Sequence, residues 1–459
     1  MNKRWLRREF LKHTALVAGA AAMPLSLTTS GLGEPQAVTT AAQEPPAASK
    51  KLSFPTSDRA WQKTWNAAVA VLADNVRIMP RYDHPVLVEG STYGGIWQEC
   101  APQEGLVYGT LEAYITPDPG APPPLQVARA NHMAFFAQQK EDGQLPASIK
   151  LTDSVGTTGG YGQIQMVVPI AATAWELAQQ TKDHELLETA YASCSRWDAW
   201  LRQYRDTRKT GLVEGFCTYD TGHDNSPRWQ GIPNRCPDAD ARKCPPIETM
   251  PRLCPDLSAT AYGGRMALAA MANALGKPGE AARWEQDAEH IRKLILSRLY
   301  SQEDGAFYDL DAKNNFVRVS GDVVSRVLGE HVVDPVKDKG IFEAVWTKEI
   351  HNPKAFWAPF PLSSIAMDDP AFVRPIPRNS WGGASQALTA LRAPRWMNYY
   401  GKQAELEYMM LQWCSAIMRH GEFRQQMDPL TGVFTQPDPG GYSPAALVFL
   451  DFAHRLSKG

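Results

Sequence analysis

The sequence predicts an all-α fold: a closed ring of helical hairpins in two concentric layers. Three observations carry this. From about residue 55 onward, helical patterns follow one another through short loops. Those patterns alternate between apolar nearly all round, which suits an inner layer, and apolar on one side, which suits an outer layer meeting solvent. Segments that read as strands are few.

Taken in order, "PLQVARANHMAFFAQQKEDG" is amphipathic, with Val127, Ala130, Met133 and Phe136 on one side. "QIQMVVPIAATAWELAQQTKD" is apolar nearly all round in its first half, which predicts a buried helix from near Gln163. "HELLETAYASCSRWDAWLRQYRD" is one-sided, with its charges facing out. "LSATAYGGRMALAAMANALGK" is small and apolar all round, and "GEAARWEQDAEHIRKLILSRLY" is one-sided again. The loops also share a form. "KEDGQLP", "RDTRKTGLV", "QEDGAFYD" and "DPLTGVF" each set an acid and a glycine ahead of an apolar or aromatic residue. The glycine supplies the positive φ of a tight turn, and the residues after it favour a short extended piece. "DGAFYDLDAKNNFVRVS" reads as a β-hairpin turning at Lys313–Asn315. Long loops on one face of the ring are expected to carry the chemistry.

The chain has 459 residues, 44% hydrophobic and 21% charged, an ordinary globular composition. A net charge of -2 and the lack of a basic stripe exclude a nucleic-acid partner. Residues 1–50 read as an export signal and linker. Arg7-Arg8 stand ahead of Phe10-Leu11-Lys12, and a short Ala/Gly-rich apolar run follows. Paired arginines before a weakly apolar segment are the pattern of a twin-arginine signal. Cleavage near Ala42 would leave a periplasmic or secreted bacterial protein with no membrane contact. Residues 51–459 would form a single catalytic domain, with a Cys/Pro-rich insertion at about 230–255.

Seven cysteines are present. In an oxidising compartment, Cys217, Cys236, Cys244 and Cys254 are disulfide candidates, and Cys236 with Cys244 would close "CPDADARKC" into a short loop. No C-x-x-C spacing points to zinc, so no metal is expected. Cys194 and Cys414 lie in helical patterns and read as buried small hydrophobes. "TDSVGTTGGYGQ" fits neither nucleotide-loop pattern, and no cofactor is expected.

"TGHDNSPRW", Thr221 to Trp229, crowds a carboxylate, an imidazole, an amide, a guanidinium and an indole into one loop. From Asp220 on, it is similar to the acid motif E-S-G-x-D-N-S-P-R of the α6/α6-barrel glycoside hydrolases that include family 63 glucosidases and the mannosylglycerate hydrolases. "ANHMAFFAQQKEDGQLPASI" resembles the family's QQ-x-x-DG-x-x-P element. "FWAPFPLSSIAMDDPAF" with "NSWGGASQAL" resembles the stretch ending in W-x-G-P. "MDPLTG" with "GYSPAALVFLDF" resembles the segment after the catalytic base. The order is the family's, from about Gly94 to Phe452. The resemblance implies an α6/α6 toroid with short β-hairpins in the loops of the active-site face. It also implies a carbohydrate substrate and hydrolysis of an α-glucoside or α-mannoside by inversion.

Inverting hydrolysis needs an acid to protonate the leaving oxygen and a carboxylate to activate water. The resemblance assigns the acid to Asp224, and nearby Trp229 would help desolvate it. It implies sugar contacts for Asp220, Asn225, Arg228 and Trp229, with Trp97 and Trp381 stacking on sugar faces and Gln425 binding a hydroxyl. Trp65, Trp175, Trp197, Trp200, Trp284, Trp396 and Trp413, on helical patterns, read as core. At the base the match fails. Three residues before Asp428 the family has Glu, and this chain has Gln425. Glu422, three residues earlier, is one candidate for the base, and Asp428 is another, although it reads better as shaping the turn before Pro429. A helical stretch would put Glu422 on the same face as Gln425, and an extended one on the opposite face. Two rivals follow: a sugar-binding protein without catalysis, and a lyase or epimerase on the same barrel with His223 as base.

Overall fold

The computed structural model describes residues 56–117, 119–153, 159–435 and 440–458. The export-signal reading lies outside these residues. Twelve α-helices occur among the described residues. They are α1 Arg59–Asn75, α2 Ala101–Thr110, α3 Pro124–Ala137, α4 Ile170–Thr181, α5 His184–Tyr204 and α6 Pro255–Ala274. After them come α7 Pro278–Arg298, α8 Val323–Gly329, α9 Lys339–Val345, α10 Ala387–Met397, α11 Gln403–His420 and α12 Ser443–Lys458.

The even-numbered helices form the inner layer. Each packs on the next, from α2 through α4, α6, α8 and α10 to α12, and α12 returns to α2. The odd-numbered helices wrap this ring. The sequence pattern explains the division. α6 is buried nearly all round, with small residues Ala259, Ala261, Gly263, Ala267 and Ala272 inside. α7 buries only Ala281, Ala288, Ile291 and Ile295 along one side. Helix starts are chemically marked. Asp58 accepts from the backbone N–H groups of Ala60 and Trp61 to cap α1, and Asp183 accepts from Leu186 to cap α5. Proline opens α2, α3, α6 and α7, where its missing N–H costs nothing. None of the described helices is long and apolar enough to cross a membrane.

The connections are unequal. Inner-to-outer links are short, as at Lys182–Asp183 between α4 and α5. Outer-to-inner links are long: 76–100, 138–169, 205–254, 299–322, 346–386 and 421–442. The expected loop glycines sit in these long links or at their edges, and Gly143, Gly211, Gly305 and Gly432 all have positive φ. The strands are short and lie in the same links. One antiparallel sheet joins β1 Glu214–Gly215, β2 Arg252–Leu253, β3 Asp309–Leu310 and β4 Phe316–Val317. β3 and β4 are the predicted hairpin, with its turn across 311–315.

One boundary differs from expectation. α4 starts at Ile170, not near Gln163. The backbone N–H of Ile164 donates to the Asp220 carboxylate, and that of Met166 to the Asp220 carbonyl. Gln165 stands at φ 45, outside the helical region, and Pro169 disfavours helix in the residue before it, so the helix starts only after Pro169.

Candidate active site

Every residue of the site lies on a long link leading into an inner helix. Trp97 and Glu99 precede α2, and the Asp220–Trp229 loop precedes α6. Asp322 precedes α8, Asn379–Trp381 precedes α10, and Gln425 precedes α12.

Asp224 is half-buried on its loop. Its carboxylate Oδ2 accepts from Asn379 Nδ2 at 3.1 Å, and its carbonyl accepts from the Trp381 N–H at 3.1 Å. Burial pushes its carboxyl up to about 6, against the opposing donation from Asn379. The charge of Asp224 in turn acts on Glu89, Glu99, Tyr93 and Tyr219. Asn225, exposed at φ 56, donates from Nδ2 to the Asn379 carbonyl at 2.8 Å.

The loop is held from beneath, and there the structure corrects four assignments. Asp220 does not face a sugar. It is fully buried and accepts from Arg205 Nη1 and Nη2 and from the backbone N–H groups of Ile164, Phe216 and Cys217. Its oxygens are saturated. Arg228 is also committed. Its five N–H groups go to Asp309 Oδ1 and Oδ2, Asp256 Oδ1 and Oδ2, and His223 Nδ1. Guanidinium has five donors, so none is left for substrate. Trp229 is 2% exposed and donates from Nε1 to Thr221 Oγ1, beneath the loop rather than beside Asp224. Trp381 is equally buried, packed on Cys100 and Leu388 and 5.1 Å from the His223 ring. Trp97 stays half-buried, edge-on to Tyr93 at 5.8 Å.

His223 is fixed at both nitrogens. Nδ1 accepts from Arg228, so Nε2 carries the proton and donates to Asp322 Oδ1 at 2.6 Å. Burial and the nearby Arg326 charge push its pKa down to about 4. Burial opposes ionisation of Asp322, but Arg326 and His223 hold its carboxyl well below the usual range.

Glu422 is the clearest correction. Helix α11 ends at His420, Gly421 turns the chain, and the residues up to strand β5 at Gln426–Met427 are not helical. Glu422 therefore points outward, exposed, in an ion pair with Arg424 Nε at 2.5 Å. That pairing lowers its pKa. Gln425 points inward and is buried. It accepts from the Tyr93 hydroxyl at 2.8 Å and donates from Nε2 to Asn379 Oδ1 at 3.0 Å. Asp428 shapes its turn, accepting from the Leu430 and Thr431 N–H groups and pairing with Arg374.

Asn379, Tyr93 and Glu99 are the site residues that sequence reasoning did not single out as functional. Asn379 stands at φ 44, a conformation in which Asn is enriched, but one chain does not mark such a position. Glu99 is buried, weakly hydrogen-bonded by Gln165 at 3.4 Å, with no partner for Oε2 among the described residues. Its carboxylate occupies the place that a Cβ on Gly222 would take. Burial pushes it up to about 7, with Arg392 opposing.

Cys236 and Cys244 are not joined. The Cys236 backbone bonds to Gly162, which aims its thiol at Cys217, with the sulfurs 3.7 Å apart. The Cys244 thiol faces the Pro245 carbonyl. Among the described residues, all seven cysteines are free. Cys217, Asp220 and Cys236 are close enough to hold an ion, but Asp220 has no lone pair to spare.

Solved structures share this architecture. The family 63 mannosylglycerate hydrolase from Thermus thermophilus is 19% identical, with a TM-score of 0.65, covering 84% of this chain and 99% of that one. Neutral trehalase Nth1 from Saccharomyces cerevisiae is 14% identical, with a TM-score of 0.58, covering 82% of this chain and 75% of that one. The family 78 rhamnosidase of a Bacillus species is 14% identical, with a TM-score of 0.56, covering 88% of this chain and 36% of that one. These likenesses establish the helical toroid. No curated protein sequence matches the chain. The model of the mannosylglycerate hydrolase MGH1-like glycoside hydrolase domain matches residues 124–443, a span that contains Asp224, Asn379 and Gln425. The chain belongs to that family and is a glycoside hydrolase.

Proposed function

We propose that the protein is an exported glycosidase that cleaves an α-glucoside or α-mannoside with inversion, using Asp224 as general acid. One observation carries this: a half-buried carboxyl, raised to about 6 by burial, with a single side-chain hydrogen bond among the described residues, on one oxygen. Such a group holds a proton near neutral pH and can deliver it to a leaving oxygen. The mannosylglycerate hydrolase on the same fold supports the α-mannoside choice.

The second carboxyl in this proposal is Glu99. Glu422 is turned away and Gln425 is neutral. Of the carboxylates on which Asp224's charge acts, Glu89 is tied to the Tyr442 hydroxyl, whereas Glu99 Oε2 has no partner among the described residues. At about 7 it is ionised in a good fraction of molecules at neutral pH. Two carboxyls then divide the acid and base roles. A lyase or epimerase using His223 is disfavoured, because both ring nitrogens are engaged. A binder without catalysis is favoured only by the amide at 425.

The test is sugar release from α- and β-linked glycosides by the mature protein, D224N and E99Q, with the anomer of the first product read by NMR. Release of the inverted anomer that both variants lose supports the proposal. Retention of configuration, or full activity of D224N, sinks it. Export is tested separately, by cell fractionation with Arg7 and Arg8 replaced by Lys.

A further inference from the structure

Tyr93, Gln425, Asn379 and Asp224 come from four separate segments and form one directed chain of hydrogen bonds. The Tyr93 hydroxyl donates to Gln425 Oε1 at 2.8 Å, Gln425 Nε2 to Asn379 Oδ1 at 3.0 Å, and Asn379 Nδ2 to Asp224 Oδ2 at 3.1 Å. Every donor points toward Asp224. The backbones at the far end are also tied together, by Asn225 on the Asn379 carbonyl and by Trp381 on the Asp224 carbonyl. What remains to be set is which end of the Asn379 amide faces Asp224.

The amide at 425 accepts from the Tyr93 hydroxyl through Oε1 and donates through Nε2, and in that orientation it occupies Asn379 Oδ1 and leaves Nδ2 for Asp224. An ionised carboxylate at 425 accepts only. It would draw Asn379 Nδ2 to itself and turn Oδ1 toward Asp224, acceptor against acceptor. We infer that Gln425 is a positioning residue that acts through Asn379 to fix which Asp224 oxygen is hydrogen-bonded and which is left to carry the proton. This deepens the proposed general-acid role of Asp224 and rests on it. It also gives the departure from the family pattern at 425 a physical role. The other ionisable groups facing Asp224 are Glu89, Glu99, Tyr93 and Tyr219. Burial disfavours its ionised form, and the Asn379 donor is the contact that favours it.

The experiment follows Asp224 directly. The protein is labelled with carboxyl-13C aspartate, and D224N identifies the Asp224 resonance. Titrations of wild type, Q425M and N379L are then compared. Removing a donor to the ionised form raises the midpoint, by about one unit for N379L. Q425M, close to Gln in length but with no N–H, moves it the same way by less. If N379L shifts and Q425M does not, Gln425 does not act through Asn379 and the inference falls. It falls also if neither variant shifts, or if Q425E gains hydrolysis while Asp224 titrates as before, since position 425 would then be a base site. If wild type releases no sugar yet the shifts occur, the relay stands and the general-acid role fails.

Discussion

Arg205 donates Nη1 and Nη2 to the two oxygens of Asp220, at 2.5 and 3.1 Å, with both side chains fully buried. The pair anchors the Phe216–Thr221 turn, and through it the loop that carries Asp224. Removing one partner strands an uncompensated buried charge, which typically costs about 3–5 kcal/mol. D220N should therefore lower the Tm by many degrees, and its surviving activity should fall through misplacement of the loop. Calorimetry and kcat/KM on the same sample check this. A fully stable D220N with a raised KM alone would restore Asp220 as a sugar contact.

Replacing Asp224 with Asn should lower kcat by roughly 10²–10⁴-fold, the usual worth of a general acid. The Tm should change little, because the amide keeps the shape.

The pH dependence follows from the two raised carboxyls. Asp224 works protonated, and that form is lost as pH rises through about 6. Glu99 works ionised, and that form is gained as pH rises through about 7. The profile of kcat/KM should be a narrow bell centred midway, near about pH 6.5, with apparent values belonging to the pair. A flat profile across that range would remove these carboxyls from the reaction.

E422Q should leave kcat/KM unchanged and alter stability by less than about 1 kcal/mol, as expected of an exposed ion pair. E99Q should lose most activity. The reverse pattern would return the base to Glu422.

Gly222 has φ 63, and a side chain there would meet the Glu99 carboxylate. G222A should displace Glu99 and cost about 1–2 kcal/mol for the left-handed backbone alone. Activity should fall more steeply than stability, measured by thermal melts beside turnover.

Much of the fold was legible in the chain. Alternation between all-round and one-sided apolar patterns, as in α6 and α7, records which helices have neighbours on every side, and burial forces that on composition. The acid-then-glycine loops were legible because tight turns demand positive φ at Gly143 or Gly305. The start of α4 was not, because the chain before it is held against Asp220, a partner distant in sequence, with Gln165 at φ 45.

The sequence by itself determined the ring of helical hairpins, the family resemblance and the place of Asp224 in its loop, because these rest on local pattern and order along the chain. Tertiary structure decided the rest. It turned Glu422 outward and Gln425 inward, since no helix continues past Gly421. It took Asp220, Arg228 and Trp229 beneath the loop, where their partners Arg205, Asp256, Asp309 and Thr221 lie. It also brought Tyr93, Gln425 and Asn379 to Asp224. Those contacts depend on where several long links meet in space, and no spacing in a single chain encodes that.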